Sequence, residues 1–236
     1  MFYMRIAEMN IKVCNHFPYI ENMCRDYVIP EPDHIDFTVT TTQEEVMAEG
    51  EGEGGNPAYL ETLAVYRKVA DRIIDLGGFL MHGAVIEVYG NGIMFTAKSG
   101  TGKSTHIRLW KKYFGKDCHI VNGDKPLIRL YDGTPTVYGT PWAGKEGWQA
   151  NCSAPLKKVC FLERSPENHI KGISKNEAFQ RMQSQLFFPR SGEKLAKTLE
   201  SVNLFLQNTD FYVLGCNMDL EAARVASSGM GIVREQ

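Results

Sequence analysis

The stretch IMFTAKSGTGKSTHIRLW, residues 93–110, contains the signals of a strand, a loop and a helix in immediate succession. Its first residues are apolar, its middle alternates glycine with small polar residues, and its end has the apolar spacing of a helix. A chain that passes from strand to helix through such glycines can aim several backbone N–H groups at one point. The stretch therefore predicts an α/β domain with an anion site at the end of one strand.

The middle of this stretch, SGTGKST, has the composition of a phosphate-binding loop (P-loop). Gly100 and Gly102 let backbone amides approach an anion closely, and the helix that follows adds the positive end of its dipole. Lys103 can reach the outer phosphates of a nucleotide, and the Ser104 hydroxyl can bind Mg²⁺. Ala97 stands where such loops usually begin with glycine, and alanine is the mildest departure from it. The predicted nucleotide-binding residues are Ser99, Gly100, Thr101, Gly102, Lys103, Ser104 and Thr105.

Two apolar segments, FLMHGAVIEVY and IMFTA, precede this loop and are joined at Asn91-Gly92. Asn-Gly readily adopts the positive φ angles of a tight turn, so we expect a β-hairpin whose second strand enters the phosphate loop. That strand would have an antiparallel neighbour directly before it in the chain. The parallel sheets of Ras-like and Rossmann-like folds need crossover helices instead, so the hairpin predicts a mixed sheet.

The other elements alternate between strands and helices. A helix is expected from Asn56 as N-cap and Pro57 as first helical residue to Gly77-Gly78, and another from the phosphate loop to about Phe114-Gly115. Strands are expected at 3–14, 35–41, 118–124, 157–163 and 210–216, a hairpin turned at Asp132-Gly133 within 126–139, a loop at 139–148, and helices at 175–186, 193–207 and 219–227.

The bulk composition is that of an ordinary globular chain. A net charge of −2 over 236 residues gives no electrostatic reason to expect nucleic acid or an anionic membrane as partner. No apolar run approaches the roughly 20 residues that span a bilayer, and the N-terminus has no signal-peptide pattern. The six cysteines form no metal-binding spacing and indicate a reducing compartment. We therefore expect a cytoplasmic protein without nucleic-acid or membrane partners, and homo-oligomer formation stays open.

Two residues outside the loop are candidates for the chemistry. Asp124 ends the predicted strand CHIVNGD, and an acid at a strand end can hold a nucleotide-bound Mg²⁺ or its waters, although Asp in a Gly-Asp-Lys turn can be purely structural. His82 can act as a general acid or base or contact a phosphate, because histidine titrates near neutral pH. A lone histidine in a strand can equally be structural.

The predicted loop GTPWAGKEGW, with three glycines and a proline, offers further candidates. Trp142 could stack on a nucleotide base or be a buried anchor. Lys145 could stabilise charge on a transferring phosphoryl group or lie at a solvated tip. Arg164 and Arg190 are candidate anion contacts, with surface salt bridges as the alternative. His106 is expected to lie on the surface of the helix after the phosphate loop and to take no part in the site.

The segment MHGAVIEVYGNGIMFTAKSGTGKSTHIRLW...HIVNGDKPLI, residues 81–128, resembles the catalytic core of HPr kinase/phosphorylase. That enzyme has a strand bearing His-Gly, a tight turn, a phosphate-loop strand and then a strand that ends in Asp-Asp. The loop SGTGKST is also similar to that of phosphoenolpyruvate carboxykinase, which shares the fold. The resemblance covers about a fifth of the chain. It implies an α/β mixed-sheet P-loop domain of the phosphoenolpyruvate carboxykinase / HPr kinase type.

Within this resemblance, His82 matches the active-site histidine, residues 100–105 match the phosphate loop, and Asp124 matches one member of the acidic pair. Gly123 stands where the other acid would be. If Asp124 binds Mg²⁺, another group must activate the acceptor, or positioning alone must suffice. The Glu-x-Arg-Gly signature of the kinase is not found, so HPr is not implied as the substrate. The chain looks more similar to small stand-alone relatives, some of them associated with modified-peptide biosynthesis.

The resemblance implies one catalytic domain over residues 1–236, with residues 1–50 as an N-terminal β appendage. The segment EEVMAEGEGEGGNP, residues 44–57, is acidic and rich in glycine. We expect it to be a flexible loop with solvated charges, and a partner-binding segment is the alternative.

The motifs and the resemblance together imply a Mg²⁺-dependent kinase that uses ATP or GTP and phosphorylates a hydroxyl group of a peptide, a protein or a small molecule. Its catalytic residues would be His82, Lys103, Asp124 and Lys145, with Mg²⁺ held by Ser104 and Asp124. Two alternatives are a nucleotide hydrolase or switch, and a nucleotide-binding protein with weakened catalysis. A carboxykinase is the weakest reading, because the chain is far shorter than that enzyme.

Overall fold

The computed structural model describes residues 1–50 and 55–233, in which helices cover both faces of a curled, mixed sheet. The strands are β1 Phe2–Ile6, β2 Met9–Cys14, β3 Val28–Ile29, β4 Phe37–Thr40, β5 Gly78–Leu80, β6 Ala84–Val88, β7 Asn91–Thr96, β8 Cys118–Asn122, β9 Leu127–Tyr131, β10 Thr134–Tyr138, β11 Ser153–Arg164, β12 His169–Gly172 and β13 Asp210–Cys216. The α-helices are α1 Pro18–Met23, α2 Gln43–Ala48, α3 Pro57–Arg72, α4 Lys103–Phe114, α5 Lys175–Met182, α6 Gly192–Gln207 and α7 Leu220–Gly229. Across these described ranges, no helix is both long enough and apolar enough to cross a lipid bilayer.

The central sheet is mixed, which confirms the prediction from the hairpin. Strand β7 pairs antiparallel with β6 and parallel with β11, and β13 lies parallel on β11. Strand β8 pairs antiparallel with β6, and β12 pairs antiparallel with β13. The carboxyl ends of β7, β8, β11 and β13 and the start of β6 therefore meet at one edge of the sheet, which we call the carboxyl edge.

The hairpin before the phosphate loop is formed by β6 and β7, but its turn lies two residues earlier than expected. The turn residues are Tyr89 and Gly90, with φ angles of 51° and 73°. Asn91 begins β7, and its side-chain amide donates to the carbonyl of Tyr89 at 2.9 Å. The predicted Asn91-Gly92 turn is wrong because Gly92 lies inside β7, where a Cβ atom would come within 2.6 Å of the carbonyl oxygen of Pro155 in β11.

Two helical layers cover the central sheet. Helices α4 and α7 pack on the face that carries Ile86 and Phe95, and α5 and α6 pack on the face that carries Val85 and Met94. Neighbouring residues of one strand point to opposite faces, so both helical layers pack against side chains of the same two strands, β6 and β7. The phosphate loop therefore leaves a strand that is buried on both sides.

The start of β11 continues the sheet into an antiparallel meander. Strand β10 pairs with its first residues, β9 pairs with β10, and β5 pairs with β9. The turn between β9 and β10 is formed by Asp132 and Gly133, with φ angles of 48° and 77°, as the sequence predicts. The segment FLMHGAVIEVY is divided between β5 and β6, so His82 lies in the short connection between two strands.

Residues 2–40 form a second sheet in the order β3-β1-β2-β4. The expected single strand at 3–14 is a hairpin, because Ala7 and Glu8 adopt φ angles of 49° and 63° and reverse the chain. This sheet shares a core with α3, in which Ile6 and Ile11 are fully buried. Its assignment as an appendage of one larger domain stays a prediction.

The expected flexible loop at 44–57 is wrong for its first part. Residues 43–48 form α2, which begins with a capping box in which Thr42 and Glu45 satisfy each other's backbone N–H groups. Val46 anchors the helix by packing against Leu60 and Ala64 of α3. Residues 51–54 of this predicted loop lie outside the described residues. At its end, Pro57 begins α3 as expected, and the Asn56 side chain accepts from the N–H of Ala58.

We predict that Gly92→Ala lowers the free energy of unfolding by about 1–3 kcal/mol, because the added methyl group overpacks the contact between β7 and β11. Chemical denaturation measures this change. The control is Gly192→Ala at the start of α6, where a Cβ atom meets nothing within 4 Å, and it should change stability by no more than about 0.5 kcal/mol. Equal stability of the two variants would contradict the close approach.

Candidate functional site

The phosphate loop leaves β7 and enters α4 through two glycines in the left-handed region. Gly100 and Gly102 have φ angles of 78° and 121°. A Cβ atom on either glycine would have no non-neighbouring atom of the described chain within 4 Å, so open space lies beside both. No side chain caps α4, and its first turn holds no acidic residue. The backbone amides at this helix start are therefore available to an anion.

Lys103 folds back over the loop. Its Nζ donates to the carbonyl oxygen of Ala97 at 3.1 Å. Burial lowers the pKa of Lys103, the negative charge of Asp124 opposes this shift, and Lys125 adds to it. Ala97, the departure from the usual loop pattern, is 9% exposed and supplies the carbonyl that receives the ammonium group. A phosphate oxygen could take the place of that carbonyl, since both are acceptors.

His82 is held through its backbone and its ring. Its N–H donates to the carbonyl oxygen of Gln185 at 2.7 Å, and its own carbonyl accepts from Thr96 Oγ1 at 2.8 Å. In the ring, Nε2 lies 2.6 Å from Asp124 Oδ1, and Nδ1 lies 3.1 Å from Gln185 Oε1. Because Thr96 is the last residue of β7, these bonds bring the His82–Asp124 pair next to the start of the phosphate loop.

The Asp124 carboxylate is charged in this arrangement. Both ring nitrogens of His82 face acceptor oxygens, one of them on Asp124 and the other on Gln185. The second carboxylate oxygen of Asp124 accepts from Lys125 Nζ at 2.5 Å. Burial disfavours the carboxylate, but hydrogen bonds from His82 and Lys125 outweigh burial and lower the pKa of Asp124 to about 2. Asp124 is thus an anion held between the His82 ring and the Lys125 ammonium group.

A buried Asn–Thr pair fixes the turn that carries Asp124. Asn122 Oδ1 accepts from the backbone N–H groups of Asp124 and Lys125 at 2.9 and 2.8 Å. The Asn122 amide donates to the carbonyl of Thr140 at 2.9 Å, and Thr140 Oγ1 donates to the carbonyl of Lys125 at 2.7 Å. The N–H of Gly83 donates to the carbonyl of Asp124 at 2.9 Å. These bonds leave the carboxylate little freedom to turn away from His82.

Trp142 is a buried anchor of the 139–148 loop. It is 6% exposed, its Nε1 donates to the carbonyl of Thr62 at 3.0 Å, and its ring packs on Tyr66 with the centroids 5.2 Å apart. Stacking of Trp142 on a nucleotide base is therefore wrong, because the ring is already enclosed by α3.

Lys145 lies on the segment of the loop that crosses from Asp124 to α4. The backbone of Gly144 packs on Asp124, since a Cβ atom there would lie 3.1 Å from Asp124 Cβ. Glu146 forms an ion pair with Arg108 of α4. Lys145 itself is exposed, and its ammonium group has no hydrogen bond or ion pair within the part of the chain that the structure describes. The Lys145 ammonium group therefore lies between Asp124 and α4 and is available to an anion.

The other side chains of the phosphate loop are also uncommitted. Ser99 is exposed, Thr101, Ser104 and Thr105 are half-buried, and none of the four hydroxyls has a hydrogen bond to another described residue. The Ser104 hydroxyl and the Asp124 carboxylate are oxygen donors of the kind that Mg²⁺ prefers. Residues 1–50 and 55–233 contain no group of three or more His, Cys, Asp or Glu residues that could hold a metal. This donor set fits a Mg²⁺ that shares the oxygens of a bound nucleotide.

Two expectations on the other side of the loop are corrected. Arg164 is not in a surface salt bridge within the described residues, and its Nη2 donates to the carbonyl of Gly100 at 2.6 Å. His106 is 2% exposed rather than decorating the helix, and its Nε2 accepts from Trp110 Nε1 at 2.9 Å. Burial lowers the pKa of His106 to about 3, so this histidine is neutral. Arg190 is exposed and has no hydrogen bond or ion pair to any described residue.

Sequence reasoning missed the residues that support the His82–Asp124 pair. Gln185 lies 103 positions from His82, and no local pattern could join them. Thr140 is likewise visible only through its three-dimensional contact. Asn122 carried a usable signal, because an asparagine just before a Gly-Asp pair is typical of a side chain that accepts backbone N–H groups of a turn. No sequence pattern marks Lys125 as a partner of the site, apart from its position directly after Asp124.

The family of the chain follows from a comparison with protein-family models. The model described as ScmC: SynChlorMet cassette protein ScmC matches residues 58–188, which is more than half of the 236 residues. The chain belongs to the ScmC family. The matched range includes α3, the phosphate loop, the His82–Asp124 pair and Gln185. None of the curated proteins matches the chain in sequence.

Among solved structures, this ScmC-family chain is similar to the one described as the structure of the Hpr(Ser) kinase/phosphatase from Coxiella burnetii. The sequence identity is 9%, the TM-score is 0.36, and the match covers 64% of this chain and 95% of that chain.

We predict that the Asp124 carboxylate makes stability depend on pH. Its pKa is lowered from 3.8 to about 2 on folding, so its stabilisation is complete above the unfolded value and is lost as the pH falls through about 2. The difference in unfolding free energy between the unmodified protein and Asp124→Asn should shrink by about 2 kcal/mol from pH 5 to pH 2. Denaturant titrations at each pH measure it, with the exposed Asp33→Asn as a control. A difference that stays constant over this range would contradict the ion pairing.

Proposed function

We propose that this ScmC-family chain is a Mg²⁺-dependent phosphotransferase that moves the terminal phosphoryl group of ATP or GTP to a hydroxyl acceptor. The observation that carries the proposal is the juxtaposition of the phosphate loop and the His82–Asp124 pair, joined through the bond from Thr96 to His82 at 2.8 Å. We favour a serine hydroxyl of a peptide or protein as the acceptor, because residues 81–128 resemble the core of HPr kinase. A small-molecule hydroxyl is the alternative.

Nucleotide binding is assigned to the loop. The backbone amides of Gly100, Gly102, Lys103 and Ser104 face the phosphates, while the N–H of Thr101 donates to the carbonyl of Lys98 at 3.2 Å. Lys103 exchanges the Ala97 carbonyl for a phosphate oxygen. Ser104 and Asp124 would hold a Mg²⁺, which would neutralise negative charge on the phosphates.

The acceptor approaches from the side of His82 and Asp124. Its hydroxyl oxygen forms a bond to the γ-phosphorus while the bond from that phosphorus to the β,γ-bridging oxygen breaks, and the nucleoside diphosphate leaves. The ring of His82 and the ammonium groups of Lys103 and Lys145 stabilise the negative charge on the transferring group. The hydroxyl proton becomes strongly acidic only as the new bond forms, so a weak base such as the Asp124 carboxylate suffices to take it.

One observation favours a second candidate, a nucleotide-binding protein or hydrolase without a phosphorylated acceptor. Lys125 Nζ lies 2.5 Å from Asp124 Oδ2, and His82 occupies the other oxygen of the same carboxylate. With Gly123 in place of a second acid, this carboxylate must serve both the metal and the acceptor. A site in this state would bind nucleotide and transfer its phosphoryl group slowly or only to water.

We predict that Mg-ATP or Mg-GTP binds and that Lys103→Ala weakens this binding about tenfold or more, since the variant loses a charge-assisted contact to phosphate. Isothermal titration calorimetry measures both dissociation constants. Lys112→Ala is the matched control, because Lys112 lies on the same helix, is exposed, and should leave the affinity unchanged. The absence of nucleotide binding by the unmodified protein would overturn the proposed function.

The second prediction separates the two candidate functions. With γ-labelled nucleotide in a cell extract, the label should move to a peptide, protein or small molecule, and Asp124→Asn should reduce this transfer at least tenfold because it removes the carboxylate. Asp33→Asn is the control and should retain full transfer. Label found only in free phosphate would support the hydrolase, and bound nucleotide without any release of label would support the binding protein.

A further inference from the structure

A groove of about 600 Å³ lies beside the phosphate loop at the carboxyl edge. One wall is formed by the loop at Gly100–Gly102, and the opposite wall by the segments that follow β11 and β13. The strand order is β8-β6-β7-β11, with β13 on the far side of β11. Since the loop leaves β7, this order puts the groove on one side of the loop and the His82–Asp124 pair on the other.

We propose that this groove binds the nucleoside half of the nucleotide while the phosphates occupy the loop. The inference rests on the proposed nucleotide binding, and it adds the direction in which the nucleotide lies. The terminal phosphate would point toward His82 and Asp124, and the base and ribose would extend over the ends of β11 and β13. In open α/β sheets, ligands commonly occupy crevices at the carboxyl ends of parallel strands.

The far wall of the groove is held in place by the hydrogen bonds of Asn217. The backbone N–H of Asn217 donates to Asn168 Oδ1 at 3.0 Å, and its side-chain amide donates to the carbonyl of Pro166 at 3.2 Å. Asn217 Oδ1 accepts from the N–H of Asp219 at 2.9 Å. These bonds tie the segment after β11 to the segment after β13, so the groove is formed without a ligand.

The surface of the groove suits a flat apolar group. Leu162, Pro166, Cys216 and Met218 contribute to its lining. On the far wall the polar side chains are already engaged, since Asn217 spans that wall and Ser165 Oγ accepts from the N–H of Glu167 at 3.2 Å. The free hydroxyls of Thr101 and Thr105 lie on the wall formed by the loop and α4. A base held by apolar contact, without hydrogen bonds to its edge, is poorly discriminated. We therefore expect ATP and GTP to bind with affinities within about fivefold of each other.

Arg164 lies where the groove meets the phosphate loop. One of its N–H groups donates to the carbonyl of Gly100 at 2.6 Å, which leaves other donors of the same guanidinium free. Among the described residues it forms no ion pair, so its charge is uncompensated. A cation at this position is suited to bind the α-phosphate, which joins the nucleoside to the other phosphates.

His106 gives the groove a buried polar group without a partner. The bond from Trp110 occupies Nε2 as an acceptor, so the proton of the neutral ring is on Nδ1. That Nδ1 is buried and has no hydrogen-bond partner in the described part of the chain, while the residue lines the groove. An unsatisfied buried donor is costly, and an oxygen acceptor brought by a ligand would complete it.

The experiment compares Mg-ATP with Mg-tripolyphosphate, which has the phosphates without the nucleoside. Isothermal titration calorimetry gives both dissociation constants for the unmodified protein, for Met218→Ser and for Met47→Ser. Met218 is 78% exposed, so its truncation removes groove surface without disturbing the core, and Met47 is a matched exposed methionine on α2. We expect ATP to bind at least tenfold more tightly than tripolyphosphate. Met218→Ser should weaken ATP about fivefold and leave tripolyphosphate unchanged, and Met47→Ser should change neither.

The outcomes distinguish this inference from the proposed function on which it rests. Equal affinity for ATP and tripolyphosphate would overturn the nucleoside groove while nucleotide phosphates still bind to the loop. The same holds if ATP binds more tightly but Met218→Ser leaves its affinity unchanged, because the nucleoside would then lie elsewhere. Binding of neither compound would overturn the proposed function itself, and the groove assignment with it.

Discussion

The hydrogen bonds of Asp124 hold the acceptor side of the candidate site together. Its carboxylate joins His82 at 2.6 Å, and its backbone carbonyl accepts from Gly83 at 2.9 Å, so the end of β8 and the start of β6 are joined twice. The Asn122 side chain fixes the turn that carries Asp124, because it accepts from the backbone N–H groups of Asp124 and Lys125. Because both oxygens of the carboxylate accept hydrogen bonds, from His82 and from Lys125, Asp124 stays ionised despite its burial. The charge of the site thus depends on this single acid.

The topology of the sheet places two different groups of side chains on either side of the phosphate loop. Strands β6 and β8 bring His82 and Asp124 to one flank, and β11 and β13 bring Arg164 and the groove to the other. A nucleotide that spans the loop would then have a fixed direction. This separation follows from the hairpin of β6 and β7, since an antiparallel neighbour on one side of β7 leaves the parallel strands on the other.

Local sequence patterns predict much of this structure, whereas the long-range contacts cannot be predicted from them. The strand and the helix on either side of the loop at 97–102, the mixed sheet, the turn at Asp132-Gly133 and the helices after residue 174 follow from glycine placement and apolar periodicity. Phosphate binding by this loop stays a prediction. The Asn91-Gly92 turn was wrong because a glycine can serve a close strand contact as well as a turn. The partners Gln185 and Thr140 were invisible, because only the folded chain brings them to His82 and Asn122. The sequence predicts for Arg164 an anion contact or a surface salt bridge, and its bond to Gly100 could not be predicted because it joins segments 64 positions apart.

The most direct test of this account is the ¹⁵N NMR spectrum of the His82 ring during titration with Mg²⁺ and a non-hydrolysable ATP analogue. If the terminal phosphate lies against the His82–Asp124 pair, the His82 nitrogens shift with the analogue and shift less with ADP. The exposed His34 serves as an internal control and should not respond. His82→Gln identifies the signals by their loss. Binding of the analogue without any change at His82 would contradict the placement of the acceptor side.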